Sequence, residues 1–124
     1  MKQSKYWIEK NRYYELKFFC LQYPDWKKRI KDIDYACLNL NSIPSGYFND
    51  PVLKIVEARD WYQRRIDILD AVNKHCCTNP IVFKSIIKGI SYKQINSEID
   101  SDLYFLQYQK FFWFLNKTLK EEGL

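Results

Sequence analysis

The stretch that decides the fold is residues 79–120, NPIVFKSIIKGISYKQINSEIDSDLYFLQYQKFFWFLNKTLK. Asn79 can accept a hydrogen bond from a first-turn amide, and Pro80 brings the fixed φ of a first helical position. Gly89 supplies a left-handed stop, so the spacing predicts a helix of about two turns over 80–88. Ser91-Tyr92-Lys93-Gln94 then reads as a capping box, with the serine oxygen serving the Gln94 amide and the glutamine reaching back to the Ser91 amide. A second helix therefore starts at once, with Ile95 and Ile99 four apart on one face. Asp100-Ser101-Asp102 carries cap oxygens and the negative charge suited to the start of a third, long aromatic helix. Two short helices joined by a tight Gly-containing turn, followed by a third, is helix-turn-helix order.

Upstream, Tyr6 to Tyr23 places Trp7, Tyr14, Phe18 and Leu21 at helical spacing, and Pro24 ends or kinks that helix before Asp25 begins another. Trp26, Ile30, Ile33, Cys37 and Leu40 alternate in steps of four and three, which makes a narrow apolar seam. The helix opening at Asp50-Pro51 offers a matching stripe in Val52, Ile55, Tyr62, Ile66, Leu69 and Cys76. A turn-forming stretch, Asn41 to Asn49, lies between the two. The expectation is an all-α fold with about six helices: an antiparallel hairpin of long helices, then a C-terminal three-helix unit of helix-turn-helix type. One domain spans 1–124, divided into a helical frame (1–77) and the helix-turn-helix-like unit (78–124). The expected core is Trp26, Ile30, Ile33, Ile55, Tyr62, Ile66, Leu69, Phe111 and Leu115. The Trp26–Leu40 seam also suits a homodimer.

The 124 residues, 18% of them aromatic, suffice for one bulky core. No charged-apolar-small leader and no run of about 18 apolar residues is present, so a cytoplasmic protein that does not span a membrane is expected. Four cysteines in such a compartment read as buried thiols. His75-Cys76-Cys77, together with Cys20 or Cys37, lacks the paired spacings of zinc modules, so no metal or other cofactor is expected. His75 suits the C-terminal end of a helix. Catalysis finds no constellation either: the side chains of neighbours His75 and Cys76 diverge by about 100° on a helix. Asp67 with Asp70, and Asp32 with Asp34, are ordinary surface spacings, and no Gly-rich phosphate loop occurs. The chain is not expected to be an enzyme.

The net charge is +5, and the surplus is N-terminal: residues 1–40 hold nine Lys or Arg against five acids, whereas 78–124 hold six against five. Lys27-Lys28-Arg29-Lys31 is the densest cluster, on the face opposite the apolar seam. It reads as a solvated helix face, a phosphate-contacting patch, or a surface for an acidic partner.

Lys88-Gly89-Ile90-Ser91-Tyr92-Lys93-Gln94-Ile95 resembles the x-G-x-S-Y-x-x-I opening of sigma-factor region-4-like domains, and Lys110-Phe111-Phe112-Trp113-Phe114-Leu115 resembles the end of their last helix. With Asp50-Pro51-Val52 and Ile55 opening a long middle helix, residues 50–120 are similar to small proteins of Gram-positive phages and prophages grouped around the RinA and ArpU transcriptional regulators. The resemblance implies a DNA-binding transcriptional regulator docking on double-stranded DNA. On that reading Lys84, Lys88 and Lys93 contact phosphates, and Gln94, Asn96, Ser97, Tyr104, Gln107 and Tyr108 are available for base edges or sugars, with Lys110 the next cation. The start of the third helix departs from the pattern. Asp100 and Asp102 stand where such readers present cations to the groove, and carboxylates repel phosphate. The alternative is a protein-binding phage accessory factor that engages a host protein, such as RNA polymerase or a phage-defence component, through Asp100, Asp102 and exposed aromatics. The basic face Lys27, Lys28, Arg29 and Lys31 is a second candidate surface for such a partner.

Overall fold

The computed structural model describes residues 5–39, 50–95 and 99–124, with the side chains of all of these except 37–39 and 50–53. Within them the chain is all-helical, with α1 (Lys10–Leu21), α2 (Tyr23–Asn39), α3 (Asp50–Cys76), α4 (Pro80–Lys88), α5 (Tyr92–Ile95) and α6 (Ser101–Glu121). The Asn41–Asn49 turn, Leu40 and the side chains of Cys37 and Val52 lie outside the described residues.

Local chemistry sets the helix ends of the C-terminal third. Asn79 Oδ1 accepts the Ile81 amide at 3.0 Å, with Pro80 at the first helical position of α4. Gly89 closes α4 at φ 68°, which returns the amides of Gly89 and Ile90 to the carbonyls of Ile86 and Ser85. A Cβ at Gly89 would also lie 2.9 Å from Leu21 Cδ2. Gly89→Ala is therefore expected to cost about 1–2 kcal/mol in urea denaturation, from the left-handed backbone alone. A loss of only a few tenths would show that the turn relaxes.

Half of the expected capping box forms. Gln94 Oε1 accepts the Ser91 amide at 2.8 Å, but the Gln94 amide donates to the Ser91 carbonyl. The pairing of Ile95 with Ile99 on one helix is corrected: α5 is Tyr92–Ile95 and Ile99 lies outside it, buried, its carbonyl accepting from the Tyr92 hydroxyl at 2.7 Å. The next residue, Asp100, must be extended to cap α6, and its carboxylate accepts the Leu103 amide at 3.2 Å.

The N-terminal helix also differs from expectation. It begins at Lys10, capped by the Glu9 carboxylate, and its buried residues are Leu16 and Cys20, while Trp7, Tyr14 and Phe18 are exposed. Apolar side chains surround this helix, so its inward face is chosen by its neighbours: α1 packs on α4 and α6. Arg12 Nε donates to Asn116 Oδ1 at 2.7 Å, and the Tyr13 ring lies 5.1 Å from that of Phe112.

Contacts consequently divide the chain otherwise than at residue 77. The segment up to Gln22 joins Ile68–Leu124 in one compact unit, and Tyr23–Asp67 forms another. In the first, Leu16, Cys20, Val82, Ile86, Phe111, Phe112, Leu115 and Leu119 are buried. The second is the expected hairpin in shortened form, since Leu69 and Cys76 of the expected stripe belong to the first unit. Trp26 meets Trp61 with ring centroids 6.0 Å apart, Arg29 lies over Tyr62, and Asp34 pairs with Arg59 at 2.6 Å. Trp26, Ile30 and Ile66 are buried there, while Ile33, Ile55 and Tyr62 are half-buried. The hydrogen bond from Arg59 holds the Asp34 carboxyl below its ordinary range, yet an ion pair this exposed adds little stability.

Candidate functional site

The inward face of α6 is Tyr104, Gln107, Phe111, Phe112, Leu115 and Leu119. Two of the expected groove readers are thereby corrected: Tyr104 is 2% and Gln107 4% exposed. Ser85 Oγ donates to the Val82 carbonyl at 2.7 Å, which leaves the Tyr104 hydroxyl to donate to Ser85 Oγ at 2.9 Å. Gln107 Nε2 donates to Thr78 Oγ1 at 2.7 Å. Both polar heads serve the packing of α6, and neither reaches a groove. Tyr108 is half-buried with its hydroxyl bonded to that of Tyr13, and burial first, then that bond, pushes its phenol above the ordinary range.

Lys84, Lys88, Lys93 and Gln94 are exposed on α4 and α5, although the Gln94 oxygen is engaged in capping. Lys110 is half-buried, its ammonium 5.6 Å over the Tyr6 ring. Asn96 and Ser97 lie outside the described residues. The remaining cations of that set therefore gather on α4 and α5, and the exposed polar side chains in the first turns of α6 are Asp102 and Gln109.

That outer face carries residues the sequence reading passed over. Leu103, Phe105 and Leu106 are 43%, 49% and 44% exposed, beside exposed Asp100 and Asp102. α6 is apolar on two sides, and only the spacing 104–107–111–115 marks which one turns inward; the second side is the signal that was available. Isolated exposed apolar residues are ordinary, but Leu103 and Leu106, three apart, share one side of the helix, with Phe105 on the flank that borders the cleft.

Next to this patch a cleft of about 510 Å³ opens among α1, α4, α5 and α6, with Tyr13, Lys17, Tyr92, Lys93, Phe105 and Tyr108 in its wall. A smaller one of about 320 Å³, walled by Trp7 and Phe112, shares Tyr13, Phe105 and Tyr108 with it. Elsewhere, Lys27, Lys28, Arg29 and Lys31 are exposed as expected, but Arg29 pairs with Asp25 at 2.9 Å and Lys27 lies over Tyr23. That face is partly neutralised from within its own helix.

Cys20 and Cys76 are buried and Cys77 half-buried, all three as free thiols, and burial raises the pKa of each. His75 is exposed in the last turn of α3, 4.7 Å edge-on to Phe114. Among the described residues no group of three or more His, Cys, Asp or Glu is placed to hold a metal, and no helix is long and apolar enough to cross a membrane.

No family model, no curated protein and no solved structure matches the chain.

Proposed function

We propose that the chain is a protein-binding accessory regulator of the phage type, acting in the cytoplasm through the outer face of α6 on a host protein such as RNA polymerase. One observation carries this reading: the first two turns of α6 offer Asp102, Leu103, Phe105 and Leu106 to solvent while Tyr104 and Gln107 turn inward. An acidic and apolar strip repels phosphates, and it places no cation before a base edge. It complements an apolar groove with a basic rim on another protein, where the aromatic anchor supplies affinity and the acids supply steering.

A photo-crosslinking residue placed at Leu106 in the producing cell is expected to form a discrete protein adduct. Asp102→Lys should abolish that adduct, because reversing one member of an interfacial charge pair leaves like charges opposed. A crosslink to DNA, or no adduct at all, would sink the proposal.

Exposed Lys84, Lys88 and Lys93 favour the second reading, DNA binding through α4 and α5. Under it, Asp102→Lys strengthens binding to random duplex and Lys93→Ala weakens it. The salt slope then flattens by about one unit per lost phosphate contact. Under the reading preferred here, duplex affinity is weak and neither substitution moves it.

A further inference from the structure

The larger cleft is independent of the docking face in its chemistry, although Phe105 borders both. Its walls are the rings of Tyr13, Tyr92, Phe105 and Tyr108, and its volume of about 510 Å³ falls in the range of small-molecule sites. The Tyr92 and Phe105 rings lie 5.8 Å apart, with Phe105 half-exposed to the cleft. Such surfaces take a flat ring by stacking and edge contact.

The polar side chains in the wall are hydroxyls, which donate as well as accept, together with Gln94 and two lysines. Tyr13 and Tyr108 share one hydrogen bond between two hydroxyls, which leaves one O–H proton over. Lys17 and Lys93 add two ammoniums, and no carboxylate is among the described residues of the wall. The one amide oxygen there, that of Gln94, is taken by the Ser91 amide. Aromatic walls and two ammoniums with no carboxylate beside them among the described residues of the wall select for a ring and a negative charge in one molecule.

From this we infer that the cleft among α1, α4, α5 and α6 is a binding site for a planar aromatic anion, its ring held by the tyrosine and phenylalanine walls and its charged group by Lys17 and Lys93. A nucleoside monophosphate and an aromatic carboxylate both have this chemistry.

The test is an NMR titration of the full chain with adenosine monophosphate, 2-naphthoate, adenosine and inorganic phosphate in separate arms. Saturable shifts at Tyr92, Phe105 and Lys17 are expected with at least one of the two aromatic anions. Adenosine or phosphate alone should bind at least tenfold more weakly. The double variant Lys17→Gln/Lys93→Gln, whose substitutions are at the cleft rim and leave the core intact, should lose at least tenfold in affinity for the anion. Saturation by adenosine monophosphate alone identifies a nucleotide site; saturation by 2-naphthoate alone identifies an aromatic acid site. The inference is overturned if neither anion saturates, or if the double variant binds as tightly as the parent. Because this readout uses no macromolecule, its failure leaves the crosslinking experiment at Leu106 unaffected.

Discussion

Phe111→Ala is expected to remove about 3–5 kcal/mol of unfolding free energy, the cost of a large aromatic cavity in a core that cannot collapse around it. Phe111 is fully buried, its ring centroid 5.7 Å from that of Phe83 on α4 and 5.5 Å from that of Phe112 on α6. Against a typical total of about 5–15 kcal/mol, such a loss leaves a marginal protein. The paired control is Phe105→Ala, six positions earlier on the outer face, which should shift stability by no more than about 0.5 kcal/mol. Urea denaturation measures both. A loss below about 1 kcal/mol at Phe111, or a large one at Phe105, would mean that the two faces of α6 are assigned the wrong way round.

The second large effect is alkaline. Burial pushes the Cys76 thiol up to about 11 and the Cys77 thiol up to about 12, and it also raises the Cys20 thiol and the Tyr108 phenol. These groups keep their protons in the fold at pH values where the unfolded chain gives them up, about 8.5 for a thiol and about 10 for a phenol. Their stabilisation is therefore complete below about pH 8.5 and is lost as pH rises towards the folded values. For Cys20, fully buried, the loss is about 1.4 kcal/mol per pH unit, or about 3 kcal/mol between about pH 8.5 and about 10.5. Denaturation midpoints should fall steeply over that interval. Cys20→Ala should flatten the fall by the contribution of one proton. Stability that stays level to about pH 10.5, or a variant with the parent slope, would contradict this account.

The legible part of the fold is the part governed by neighbours in sequence. Asn79-Pro80, Gly89 and Asp100 act at positions where short-range hydrogen bonds decide the backbone, and each helix boundary they announce is present. The hairpin seam at Trp26 and Ile30 was equally readable, because its 3.6-residue periodicity is uninterrupted. Inward faces were harder to read. In α1 and α6 nearly every turn carries an aromatic or aliphatic side chain on both sides, so periodicity cannot choose between Leu16 with Cys20 and Tyr14 with Phe18, or between Tyr104 with Gln107 and Leu103 with Leu106. The packing of α1 on α4 and α6 makes that choice, and it depends on residues far along the chain, at 80–88 and 101–121. The candidate site inherits the same difficulty: Tyr104 and Gln107 have the chemistry of base readers, but both are buried, the Tyr104 hydroxyl on Ser85 and the Gln107 amide nitrogen on Thr78.

The bonds that fasten α1 to α6, Arg12 to Asn116 and Tyr13 to Tyr108, span 104 and 95 residues of sequence. During synthesis the first helix therefore emerges long before its partners exist, and Leu16 and Cys20 wait with their apolar surface open until the last helix is released. Pairings this distant in sequence raise contact order and slow folding relative to helical bundles with local contacts. The hairpin of residues 23–67 needs no such wait, since both of its arms are made early. A nascent chain stalled before α6 is accordingly expected to hold a formed hairpin beside an unpacked first helix, a species whose exposed tyrosines and phenylalanines make it a target for chaperones and a nucleus for aggregation.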